Sequence, residues 1–167
     1  IVPAARPFYR ATADSRREFF GREFPASTGV VCQALFAPEW LIEINMVAVK
    51  NGVKETIFPD RAHDKGITFM PGVKKGGLFF VSGATGHQPE TGRLDLGDVE
   101  AQTRQTYLNI AEVLEAGGAS FDDVLKVTDY IDEAALPNYS KALDVRREFF
   151  GKNLPAASTT VCNRLLD

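Results

Sequence analysis

Arg146-Arg147-Glu148-Phe149-Phe150-Gly151, followed by Pro155-Ala156 and Val161-Cys162, decides how this chain folds, because the chain spells it twice. The first spelling is Arg16-Arg17-Glu18-Phe19-Phe20-Gly21, followed by Pro25-Ala26 and Val31-Cys32. The two are offset by 130 residues (16 to 146), and the register holds without a gap from Ile1 and Ile131 to Ala37 and Asp167. Seventeen of those 37 aligned positions are identical. Solenoid repeats recur every ~20–50 residues, so a period this long reads as a domain duplication. On that reading residues 1–50 are the C-terminal half of a first copy. Residues 51–66 are a linker and the start of a second, and 67–167 are the second copy without its last strand.

Working outward, the residues before each Gly read as a helix that the glycine ends. One covers 7–20, with Pro7 in its first turn and Tyr9, Ala13, Arg16, Phe19 and Phe20 at helical spacing; the other covers 137–150. The residues after Pro-Ala read as strands, 28–35 and 158–166. Residues 41–49 alternate like a further strand, and Asn51-Gly52 is a turn signal. Between the spellings lie a short strand at 54–59, a polar connection at 60–65 and a compact apolar strand at 78–82. A loop follows at 83–97, with turn chemistry at Pro89-Glu90-Thr91-Gly92. Asp98 is a natural N-cap for a helix to about Glu115, which carries Thr103, Tyr107, Ile110, Ala111 and Leu114 on one face. Gly117-Gly118 ends it, and an alternating strand covers 124–131.

This order predicts an α+β fold with both helices on one face of a mixed sheet. Phe79 and Val81 point to one side of their strand, and Leu78, Phe80 and Ser82 to the other. A sheet apolar on both faces, with helices for only one, predicts association with other copies. Residues 41–49 alone have the pattern of a closing strand, and the short connection through 36–40 predicts that they pair with 28–35. The elements that neither copy holds are then expected from sequence outside the chain or from another chain.

Hydrophobic residues at 44% and charged residues at 25% are ordinary for a globular protein. A net charge of −3 without a basic cluster argues against nucleic acid as a partner. No apolar run approaches the ~18 residues that suggest a membrane span. Cys32 and Cys162 stand at equivalent places in the repeat, so they read as duplicated core residues rather than disulfide partners. A reducing, cytoplasmic setting is expected. His63 and His87 lie in loops 24 residues apart without a ligand pattern around either, so no metal is expected. The Arg16-Arg17 and Arg146-Arg147 pairs read as solvated helix faces.

Phe80-Val81-Ser82-Gly83, Pro89-Glu90-Thr91-Gly92, Gln102-Thr103-Arg104-Gln105, Gly118-Ala119-Ser120, Asp122 to Tyr130, Glu148 to Gly151 and Pro155 to Thr159 occur in this order. Together they resemble the RidA/YjgF family, some of whose members carry the label endoribonuclease L-PSP. The resemblance covers almost all of 53–167, and residues 1–50 match the family's C-terminal part. It implies a chorismate-mutase-like mixed sheet with two helices on one face. Three such domains form a trimeric or pseudo-trimeric barrel with ligand clefts between neighbours. It further implies hydrolytic deamination of a reactive enamine or imine such as 2-aminoacrylate, without cofactor.

Carried over position by position, the resemblance places the candidate cleft at Phe69, Ser82, Gly83, Ala84, Ala157, Thr159, Ser27, Gly29 and Asn45. Several of these depart from the family's deaminases. The arginine after Pro-Ala, which clamps a substrate carboxylate, is Ser27 in one copy and Ala157 in the other. A common cysteine position is Gly29 and Thr159. A tyrosine is replaced by Phe69 and a glutamine by Ala84. The acid that positions water is Asn45, and an amide is no general base. Only Ser82 is retained. Slight activity on carboxylate-bearing enamines is therefore expected, with two readings open. One is a deaminase of an enamine, imine or related small molecule. The other is a non-catalytic small-molecule-binding or scaffold protein of the same architecture.

Overall fold

The computed structural model describes residues 1–59, 66–162, 164 and 165. Its helices are α1 (Thr12–Phe20), α2 (Val99–Ala116) and α3 (Tyr139–Phe150). The best-packed part begins at Asp98, whose carboxylate accepts from the Ala101 N–H at 3.0 Å and so starts α2. Gly117 ends that helix, and a capping box at Ser120 and Asp123 sets a short 3-10 turn, Phe121–Asp123. The strand β5 (Lys126–Asp132), a 3-10 turn Glu133–Asn138 and α3 follow, then strand β6 (Ala156–Cys162). β5 and β6 are parallel, in register from Lys126 opposite Ala156 to Asp132 opposite Cys162. The crossover between them is α3.

Burial explains why these pieces stay together. Tyr107 of α2 and Val145 and Phe150 of α3 form the buried centre, with Ile110, Phe121, Val124, Val127 and Phe149 packed around it. Phe121 and Phe150 meet edge-on with ring centroids 4.9 Å apart. Strands β2 (Glu55–Ile57), β3 (Gly72–Lys75) and β4 (Leu78–Val81) form an antiparallel sheet in that order. Phe79 and Val81 turn to the covered side, and Leu78 and Phe80 are exposed, as their alternation predicts. Gly72 lets Phe79 and Val113 close over β3, since a Cβ there would come within 2.9 Å of Val113 Cγ1. Among the described residues no helix is long and apolar enough to cross a membrane.

The two spellings fold alike locally and differ in surroundings. Residues 3–11 form a 3-10 segment, Pro3–Ala11, that runs into α1. Gly21 and Gly151 end α1 and α3 with φ of 59° and 55°, a conformation that favours glycine, and each donates its N–H 2.9 Å to the carbonyl of Arg17 or Arg147. Phe150 is 5% exposed and Phe149 half-buried, whereas Phe19 is 80% exposed. α3 has α2 to pack against. α1 has no such helix beside it among the described residues, and none of its own residues is buried.

Several expectations need correction. The helix expected over 7–20 is α-helical only from Thr12, because Pro7 withholds an N–H and the preceding turns close as 3-10. Residues 41–49 form no strand. Ladder bonds need a neighbour, and the backbone bond made here runs from the Val2 N–H to the Leu41 carbonyl at 3.1 Å. Nor do residues 41–49 pair with 28–35. Strand β1 is Val30–Val31, and it pairs antiparallel with β7 (Arg164–Leu165), Val30 opposite Leu165. β3 is an addition to the expected elements, since Lys74-Lys75 hides its alternation. The expected polar connection at 60–65, His63 included, lies outside the described residues. In place of the one mixed sheet expected, the described strands form three separate sheets: β1-β7 and β2-β3-β4 are antiparallel, and β5-β6 is parallel.

Candidate functional site

Ser82 follows directly on β4, where the strand's last covered residue hands over to a glycine loop. It is 7% exposed, and both its hydroxyl and its N–H are engaged. Its Oγ donates to the Met70 carbonyl at 2.6 Å and accepts the Ser27 N–H at 2.8 Å, and its own N–H reaches the Pro71 carbonyl at 2.8 Å. The Gly83 N–H is shared between Thr28 Oγ1 at 2.9 Å and the Ser27 carbonyl at 3.3 Å. A Cβ on Gly83 would stand 2.9 Å from Thr28 Cγ2, so only glycine allows this approach. Met70 completes the junction by donating its N–H to the Pro25 carbonyl at 3.0 Å. Residues 25–28, which carry the first Pro-Ala-Ser, are thus laced to the Ser-Gly of the second region.

One side chain enters this junction that the sequence pattern assigns to a solvated face. Arg16 of α1 is half-buried, and its Nη2 donates to Ser27 Oγ at 2.7 Å. Its repeat-equivalent, Arg146, is also no surface charge. Arg146 pairs with Asp129 on β5, the two side chains 12% and 18% exposed, and its Nε donates to the Tyr107 hydroxyl at 3.1 Å. Tyr139 donates its hydroxyl to Asp129 at 2.5 Å and lies 2.7 Å from Thr159 Oγ1. Burial works against the Arg146 charge, but its bond to Tyr107 and the charge of Asp129 outweigh that and hold its pKa above the usual arginine value. Burial, foremost, raises the pKa values of Tyr107 and Tyr139. The sequence does carry a signal for this cluster: Asp129, Tyr139 and Arg146 fall at polar places within apolar patterns.

The nine candidates therefore separate. Ser27, Ser82 and Gly83 meet at the junction, Phe69 precedes Met70 within it, and Ala84 opens the loop beyond. Gly29 follows Thr28 and is exposed. Ala157 and Thr159 lie on β6, opposite Val127 and Asp129, with Thr159 in the tyrosine cluster. Asn45 is exposed, and its amide donates to Glu43 at 3.1 Å. His87 is held in place rather than loose. Asn109 of α2, 4% exposed, donates to the carbonyls of Thr85 and His87 at 2.9 and 2.8 Å, and Thr85 Oγ1 is 2.9 Å from His87 Nδ1. Asn109 is absent from the sequence candidates because an asparagine in a helix reads as surface; Leu-Asn-Ile within an apolar stretch is its mark.

Chemically, the junction offers hydroxyls, backbone amides and one guanidinium. Among the described residues its polar side chains include no carboxylate, so it can bind and orient a small polar molecule and a water more readily than it can abstract a proton.

Comparison with known proteins identifies the family. The family profile described as Endoribonuclease L-PSP matches residues 62–166. A RutC family protein of Pyrococcus abyssi is 37% identical over 112 residues, 67% of this chain and 87% of that protein. Reactive Intermediate Deaminase A of Arabidopsis thaliana chloroplasts is 31% identical over 113 residues, 68% of this chain and 59% of its own length. The crystal structure of the E. coli YjgF gene product superposes with a TM-score of 0.58 at 28% identity, covering 66% of this chain and 87% of that one. E. coli TdcF with bound serine gives 0.54 at 29%, covering 58% and 76%. With its Ser-Gly junction, its α+β fold and these relatives, the chain belongs to the Endoribonuclease L-PSP family, also known as RidA/YjgF.

Proposed function

We propose that this protein is a hydrolytic deaminase of a small reactive enamine or imine, working without a cofactor at the Ser27–Ser82–Gly83 junction. The observation that carries the reading is the lacing of residues 25–28 to Ser82 and Gly83, which brings the retained Ser-Gly against a Pro-Ala segment. A family relative named for deaminating reactive intermediates supports it, as does one whose structure holds serine, a small amino acid. In the reaction the enamine is protonated on carbon to give the imine, and water adds to the C=N carbon. The carbinolamine then loses its C–N bond, releasing ammonia and leaving a carbonyl. Each step moves one proton between nitrogen, carbon and water. The protein's part is to hold the polarised C=N group and a water in line.

The cleft is proposed to be completed by association of domain-sized units in a trimeric or pseudo-trimeric barrel. The tandem arrangement of 1–50, 51–66 and 67–167 would supply two of its neighbours. The test is ammonia release from imines and enamines incubated with the purified protein, with and without a carboxylate on the substrate. Release above the rate in buffer supports the reading; its absence across the series contradicts it. Absence together with saturable ligand binding favours the second reading, a non-catalytic binding protein. That alternative draws on one observation: Asn45, at the acid's place, is an exposed amide bonded to Glu43.

A further inference from the structure

Asp129, Tyr139 and Thr159 form a chain of hydrogen bonds whose direction is set at its buried end. The Asp129 carboxylate pairs with Arg146, the two side chains 18% and 12% exposed, and Tyr107 takes the Arg146 Nε–H at 3.1 Å. A carboxylate held by a guanidinium only accepts. Tyr139 donates its one hydroxyl proton to it at 2.5 Å. Burial, then the bond to Asp129, raise the Tyr139 pKa, so that proton stays in place at neutral pH. Thr159 Oγ1 lies 2.7 Å from the same hydroxyl. Two hydroxyl oxygens this close need a proton between them, and the tyrosine's points to Asp129. The proton is therefore that of Thr159, which donates inward to Tyr139. Its oxygen turns only lone pairs outward. Thr159 stands opposite Asp129 on the β5–β6 ladder and is exposed, as are Ala157 and Val161, which flank it at the two-residue spacing of one strand face. The equivalent place in the first spelling is Gly29, which has no hydroxyl to orient.

We infer that Thr159 is a specificity-determining acceptor that takes an N–H group of the ligand, and that Tyr139 and Asp129 are the positioning residues that fix its direction. The choice of an imine, enamine or amine nitrogen as that N–H rests on the deaminase reading; the acceptor polarity rests on the chain of bonds alone. A ligand that brings a carbonyl or carboxylate oxygen to this point sets lone pairs against lone pairs and is disfavoured, so the face selects by rejection as well as by attraction. Ala157 and Val161 leave the hydroxyl between two apolar side chains, where no other side-chain group of the same strand face offers a proton.

The test uses two planar probes of one shape and opposite polarity. Acetamidinium offers only N–H donors, and acetate only acceptors. NMR titration follows the Thr159 amide. The parent protein should bind acetamidinium saturably, with the shift at Thr159, and about tenfold or more tightly than acetate. Thr159→Val keeps the shape without the oxygen and should weaken acetamidinium by about tenfold, while Thr159→Ser should retain it. The valine variant also separates this contact from the general attraction of a cation to a chain of net charge −3. Tyr139→Phe frees the Thr159 hydroxyl to turn and donate, so the preference for acetamidinium over acetate should fall toward unity. A merely structural role for Tyr139 would weaken both probes alike and leave their ratio unchanged. Circular dichroism and Tm of each variant confirm that it is folded. No saturable acetamidinium shift at Thr159 in the parent protein overturns the inference, as does equal binding by Thr159→Val or an unchanged ratio in Tyr139→Phe. Ammonia release from imines and enamines, run alongside, separates the two proposals. Thr159-dependent acetamidinium binding without ammonia release removes the deaminase reading and leaves this one. Ammonia release undiminished in Thr159→Val does the opposite.

Discussion

The Ser27 N–H donates to the Ser82 Oγ at 2.8 Å across 55 residues of chain, and the same Oγ donates to Met70 at 2.6 Å. A buried hydroxyl that serves as both donor and acceptor cannot be deleted cleanly. Ser82→Ala leaves the Ser27 N–H and the Met70 carbonyl without their partner, at a cost of about 1–3 kcal/mol. It should also release residues 25–28, seen as faster hydrogen exchange at Ser27 than in the parent protein. Unchanged exchange at Ser27 would mean that the lacing does not depend on the hydroxyl.

Arg146 and Asp129 make the other long-range prediction. Both side chains are mostly buried, so removing one leaves a charge that water cannot reach fully. Asp129→Asn or Arg146→Met should each lower stability by about 3–5 kcal/mol, while the double variant should recover part of that. Denaturant unfolding of the three variants gives the coupling energy. Additive losses would show that the pair does not act as a unit.

That pair also shows where the sequence is legible. The helices ending at Gly117 and Gly151, the Asp98 cap and the inward Phe79 and Val81 are readable because each rests on near neighbours in the chain. The motif around Ser82 singles it out as a candidate, but its bonds to the Met70 carbonyl and the Ser27 N–H are visible only in the structure. What escapes depends on distant partners. Arg16 and Arg146 occupy identical sextets and have different contacts, which local pattern cannot distinguish. Residues 41–49 alternate as a strand should, yet a strand exists only beside another, and no ladder among the described residues reaches them.

Tyrosine ionisation should weaken the fold at alkaline pH. Burial is the leading cause that raises Tyr107 and Tyr139, and for Tyr139 the hydrogen bond to Asp129 adds to it. Their folded-state values lie above their unfolded values. The stability they contribute is therefore complete below about pH 10, the unfolded value, and is lost as pH rises through the folded values. Tm should fall above about pH 10, and less steeply in Tyr139→Phe. Near-ultraviolet titration of the parent protein against Tyr107→Phe and Tyr139→Phe should show each of these two hydroxyls ionising above the usual tyrosine value. Ionisation of either at or below that value in the native protein would contradict this.

The two cysteines, equivalent in the repeat, should react differently. Cys162 is 4% exposed, and burial, then the nearby Cys32 and Asp132, raise its thiol above the usual value. Cys32 is half-buried, so only one of the pair is buried as the repeat leads one to expect; its thiol donates to the Ile1 carbonyl at 3.3 Å. Both are free. A thiol reagent near neutral pH should modify Cys32 first, with Cys162 following at the rate of unfolding. Mass spectrometry of partially labelled protein decides the order, and equal rates would refute it.

The last expectation concerns the apolar stretch around Trp40. Leu41, Ile42, Ile44, Met46 and Val47 are all exposed, and Phe36, 6.2 Å from the Trp40 ring, is 95% exposed. Full burial of one such side chain is worth about 1.5–3 kcal/mol, so a contiguous row left in water favours association strongly. The backbone of the stretch is also unladdered, which suits addition to an open strand edge. Trp40 is the chain's only tryptophan, so its emission reports this surface alone. Emission should shift to the blue as concentration rises, in step with growth of the sedimenting species. Ile44→Asp should hold both at their dilute values without altering helix content. A parent protein that sediments as a monomer at micromolar concentration, with Trp40 emission as red as in Ile44→Asp, would show that residues 41–49 stay in water and that association proceeds through no part of them.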